Sequence, residues 1–225
     1  NGKFYVADKD GGATDGAPPD VAYVSQLSIV AGHLRAAVIL YARGQADDAI
    51  ALSYHPEAEM MDAVREGLAD HGAADITPTM TALSQAMEQG KDLAEVKARL
   101  TEAETAIAAG QAVEADEVKT RFDALLVLVK AAGSEFQGSI ADGKIEDQMA
   151  YLESFGFLQI AREQAAVLAG LPDDKAKAAA GKIGAAIDEA LPSYGDVLAP
   201  DLPVFDPGIL LALAGRVELA ASQVR

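Results

Sequence analysis

His33, His55 and Glu59 are the residues of this chain whose types suit one shared chemistry. Two imidazoles and a carboxylate are donors that hold zinc, copper or ferrous iron. His55 and Glu59 stand four apart in the segment HPEAE, a spacing that puts both on one side of a helix start. A helical hairpin upstream would fold His33 toward that pair. The positive end of a helix beginning at His55 disfavours imidazolium, and a metal ligand must be neutral. Glu57 or Asp62 would add an oxygen, and Met60 a thioether if the ion were copper. A plainer reading is also open. His55 would then be a helix-start residue bonded to the backbone, and Glu57 and Glu59 first-turn acids that favour the dipole. His33 would be a core histidine with satisfied nitrogens. His71, beside Gly72, is expected at an exposed helix end.

Other chemistries find little footing. The chain has no cysteine, which excludes disulfides, thiolate metal sites and thiol nucleophiles. It has no Gly-x-Ser-x-Gly elbow, Gly-rich phosphate loop or dinucleotide fingerprint. A binding protein is expected rather than an enzyme. Thirty-five acidic residues against 18 basic ones give a net charge of −17. That surface repels phosphate backbones and anionic lipid, so no nucleic acid is expected as a partner. It favours cations, or a protein partner with a basic face, and it also serves solubility. Asp8, Asp10 and Asp15 are spaced loosely like calcium-loop carboxylates, without that loop's glycine or closing glutamate.

The elements that must position the candidate donors are helices. Ala, Leu and Val dominate the apolar half of the chain, with Glu, Lys and Gln between them, a mixture that favours helix over strand. An all-α protein is predicted. Its first helix runs from Val21 to Arg43, with Asp20 as N-cap and Gly44 as stop. Apolar residues cover most of its circumference, which makes it central in a bundle. A helix starting at His55-Pro56 ends at His71. Helices follow over 77–89, 93–109, 113–140, 146–169, 174–191 and 207–224.

Turn spacing suggests an internal duplication. Gly44 and Gly143 are 99 residues apart, and the segments after them run in parallel. The expected plan is a duplicated helical bundle with four or five helices per half: a flexible leader at 1–20, a first repeat at 21–111 and a second at 112–225. In that register His33 maps to Ala132, His55 to Ser154 and Glu59 to Leu158. The donor set would therefore belong to the first half alone.

Two resemblances accompany this plan. YARGQADDAI, from Tyr41 to Ile50, resembles the turn of a tetratricopeptide hairpin. The duplicated all-α layout resembles the imelysin-like group of bacterial periplasmic proteins, some of which belong to iron-uptake systems and carry a Gly-x-His-x-x-Glu motif. The nearest stretch here is Ala31-Gly32-His33-Leu34-Arg35-Ala36, where the glycine is displaced and the glutamate is absent. Only His33 carries over as a candidate ligand. The resemblance implies an exported, periplasmic binding protein, in keeping with a removed signal peptide. Two alternatives come from other classes. One is a carrier of a small apolar molecule or lipid, in a groove between the halves lined by Phe136, Tyr151, Phe155 and Phe157. The other is a protein-interaction scaffold. No uninterrupted apolar run reaches the ~20 residues that span a bilayer.

Overall fold

The apolar residues of the first long helix run round its whole circumference, and such a helix is stable only when surrounded. The structure, a computed structural model, describes residues 11–114 and 118–224. In it α1 (Pro19–Ala42) is followed by α2 (Ala46–Ser53), α3 (His55–Glu59), α4 (Met61–Asp70), α5 (Thr77–Glu88) and α6 (Leu93–Gln111). Then come α7 (Val118–Ser139), a hairpin of β1 (Ile140–Ala141) and β2 (Lys144–Ile145), α8 (Gln148–Ala169), α9 (Asp174–Ala190) and α10 (Gly208–Ala221). The described residues form an all-α helical bundle. Helices α1, α2, α5 and α6 pack in a closed ring, as do α7, α8, α9 and α10, and α1 also lies along α7 and α8.

That position explains the composition of α1. By length and composition its 24 residues are enough to cross a membrane, although they do not form one uninterrupted apolar run, and 83% of its most apolar window is buried inside the bundle. Where α1 meets α8 the backbones nearly touch. A Cβ on Gly156 would lie 2.5 Å from the Gly32 carbonyl oxygen, and one on Gly32 would enter the Phe157 ring. Only glycine allows this approach. Arg35 straps the same crossing to α6 and α8, donating to Glu104 at 2.6 Å and to Glu163 at 2.7 Å.

Helix boundaries follow local chemistry, with four departures from expectation. First, α1 begins at Pro19 and takes Asp20 into its first turn, because proline suits the start of a helix, where its missing N–H would have no partner. Second, residues 11–20 were expected as flexible leader, but a 3₁₀ turn at Gly11–Thr14 packs on α1 and α7 and Thr14 is buried. Asp8 and Asp10 lie outside the described residues, and Asp15 is exposed. Third, the helix expected from His55 to His71 breaks at Met60, where φ is −143°. Met60 and Met61 are both buried there, whereas a regular helix turns successive side chains apart by about 100°. Fourth, the helix expected from 113 is preceded by a 3₁₀ turn at Ala112–Glu114 and runs as α7 from Val118, ending at Ser139 close to the expected 140. Asp142 (φ 51°) and Gly143 (φ 70°) then form the left-handed Asp-Gly turn that favours a tight hairpin. Elsewhere aspartates cap as expected of their type: Asp92, Asp147 and Asp173 accept from the backbone N–H of Glu95, Ala150 and Ala176.

The aromatic residues expected along a groove are packed away instead. Phe136, Tyr151 and Phe157 are fully buried. Phe136 stacks on Phe205 with centroids 4.0 Å apart, and Tyr194 closes the cluster against Tyr151 and Phe155.

Candidate metal centre

The α1–α8 crossing fixes the first two donors. His33 follows Gly32 on α1, and Glu153 precedes Gly156 on α8 by one turn. The His33 ring is wholly buried and stands edge-on to Phe157, 5.2 Å between centroids. Its Nδ1 lies 2.9 Å from the Ile29 carbonyl oxygen, one turn back. A carbonyl only accepts, so Nδ1 carries the hydrogen and Nε2 is the nitrogen turned away from the helix, the one left to ligate in a neutral ring. Backbone bonds of this kind orient metal-ligating histidines. Nε2 lies 3.5 Å from Glu153 Oε1 and 3.8 Å from Glu59 Oε2.

The short helix α3 supplies the other two. Tyr54 turns the chain out of α2, Pro56 favours a new helical start, and His55 and Glu59 bracket its five residues. His55 Nδ1 lies 3.3 Å from the same Glu153 oxygen, and the two imidazole rings are 6.3 Å apart at 64°. One ligand atom each of His33, His55 and Glu153 falls within a 4.8 Å span. Donors 2.0–2.2 Å from a shared ion are separated from one another by roughly 3–4 Å. The two histidine–glutamate separations already meet that requirement.

Burial gives the cluster a closed side and an open one. The side chains of His33 and Glu153 are 0% and 6% exposed, against 35% for His55 and 18% for Glu59. An ion would enter past α3 and meet the fixed donors on α1 and α8. The carboxylate of Glu153 raises the His55 pKa above its ordinary value, chiefly through the hydrogen bond between them, although burial and the nearby His33 act the other way. The expectation that the helix start would disfavour imidazolium at His55 is thus overturned. A five-residue helix has a weak dipole, and a buried carboxylate 3.3 Å away outweighs it.

Of the sequence candidates, the structure brings together His33, His55 and Glu59 and leaves the others out. Glu57 pairs with Arg65 at 3.0 Å, and Asp62 pairs with Arg65 at 2.8 Å on the surface. Met60 packs in the apolar core. His71, expected to be exposed, instead stacks on Tyr23 at 4.0 Å and donates from Nδ1 to the Gly67 carbonyl. Glu153 was missed. Its signal is present: it is the one charged residue between Asp147 and Arg162, in a stretch otherwise rich in apolar residues. A carboxylate there must be buried and compensated.

No protein-family model, curated protein or solved structure matches this chain.

Proposed function

We propose that this chain is an exported, helical transition-metal-binding protein that holds one ion between α1, α3 and α8, for uptake or handling of that metal. The observation that carries the reading is the meeting of two imidazoles and a carboxylate within 4.8 Å in a largely apolar interior. His33, His55 and Glu153 supply the primary donors, and Glu59 swings in as a fourth. Two histidines and a carboxylate with room for more ligands suit zinc or ferrous iron. Copper loses its particular appeal, since Met60 packs in the core. The ion replaces the proton on His55, releases it to solvent and neutralises two acids. The matching order of helix packing in 19–111 and 118–221, and the Gly44–Gly143 spacing, support two related halves of an imelysin-like plan. An export route is the corresponding reading of location.

Calorimetric titration with Zn(II), and with Fe(II) under anaerobic conditions, tests the proposal. One ion per chain is expected. His55→Ala and Glu153→Gln each weaken binding at least tenfold, and Glu57→Gln leaves it within twofold. Wild-type affinity in both His55→Ala and Glu153→Gln would end the reading.

A further inference from the structure

A cavity of about 390 Å³ lies away from the histidines, over α1 and between α6 and α8. That lies within the roughly 300–1,000 Å³ of small-molecule sites. Its walls are mainly apolar: Val24 and Ala31 from α1, Ile107 from α6, Ile160 and Leu168 from α8.

The polar groups at its edge fall into three kinds. Arg35 is already matched by Glu104 and Glu163, so that group closes on itself. Gln111 and Gln164 both donate through Nε2 to the Ser28 hydroxyl, at 2.8 and 2.7 Å, which locks their amides in place. Arg121, from α7, is different. It is half-buried at the cavity wall, and among the described residues no carboxylate pairs with it. Burial pushes its guanidinium below its ordinary pKa, and among the described residues no acid offsets it. A guanidinium withdrawn from water without an anion is unfavourable in a folded protein, and a planar anion matches its fork.

We infer that this cavity binds a small organic anion with an apolar body, its carboxylate against Arg121 and its hydrocarbon on Val24, Ala31, Ile107 and Ile160. The site shares no residue with the metal cluster, so the two fail or succeed separately. Neutral apolar molecules fill the same walls but leave Arg121 unmatched, and bind more weakly.

Decanoate and 1-decanol, titrated calorimetrically into the metal-free protein, distinguish the parts. Saturable decanoate binding is expected at one molecule per chain, tighter than decanol. Arg121→Gln weakens decanoate at least tenfold and leaves decanol within twofold. Ala108→Phe, at the exposed mouth, weakens both, and its side chain lies clear of the core. Glu153→Gln binds decanoate like the wild type. Absence of saturable decanoate binding, or equal decanoate affinity in Arg121→Gln or Ala108→Phe and the wild type, overturns the inference.

Discussion

One turn of α8 serves two interiors, and they solve the problem of buried polarity differently. On one side, Ser154 donates to the Ala132 carbonyl at 2.5 Å and accepts from the Tyr194 hydroxyl. Tyr151 donates to the Pro203 carbonyl at 2.8 Å, and the aromatic rings seal the cluster. Each of these groups is neutral and ends on a backbone oxygen or a hydroxyl. On the other side, Glu153 faces two imidazoles with Glu59 close by, and His55 opens to water. A sealed interior with neutral hydrogen bonds specifies a fold. A half-open one with ionisable groups set against each other is suited to exchanging a proton for a cation. Ala132 and Ser154 are also the positions that the 99-residue register assigns to His33 and His55, so the two interiors occupy corresponding places in the proposed halves.

Both interiors depend on α8 lying against α1, and pushing those helices apart should disturb both most strongly. Gly156→Val places a side chain against the Gly32 carbonyl, where a Cβ has only 2.5 Å. Overpacking of this kind costs about 3 kcal/mol or more, so urea unfolding should shift accordingly and zinc affinity should fall with it. An unchanged unfolding midpoint would mean that the crossing is loose.

A milder change separates the two sides. Ser154→Ala leaves the Tyr194 hydroxyl without its buried partner and should cost about 1–3 kcal/mol, while zinc affinity stays within twofold. Glu153→Gln should do the reverse, removing zinc affinity with a small effect on unfolding. If the two variants behave alike, the division between structural and metal-binding interiors is wrong.

The smallest effect concerns the proton. His55 titrates above its usual value of 6.5 because Glu153 accepts from it. A group whose pKa is higher in the folded state favours folding when protonated. That contribution is complete below the ordinary value and fades as pH rises through the folded one. Zinc affinity should rise over the same upper range, as the competing proton leaves. The His55 ring resonances in NMR should therefore show a midpoint above 6.5 that drops in Glu153→Gln. A midpoint unaffected by that change would remove Glu153 as the cause.

The helical class was legible because Ala and Leu, with few β-branched residues, leave little alternative. Three of the four clustered residues were legible from type and spacing, since His55 and Glu59 share a helix and a hairpin returns the chain toward His33. Glu153 was not, because its approach depends on a glycine-to-glycine crossing 124 positions apart, from Gly32 to Gly156, which no local pattern encodes. The duplication register also directed attention to Ser154, its neighbour. The break at Met60 was hidden within longer helical periodicity, whereas the Asp142-Gly143 hairpin fell in the connection between the helices expected over 113–140 and 146–169. The second carried a recognisable turn dipeptide, and the first depended on burying two adjacent methionines.

Anomalous diffraction from crystals grown with zinc tests the central claim most directly. One strong peak is expected within about 2.0–2.2 Å of His33 Nε2, His55 Nδ1 and a Glu153 oxygen, with Glu59 drawn toward it. A zinc ion bound elsewhere, with His33, His55 and Glu153 still in contact only with one another, would contradict it.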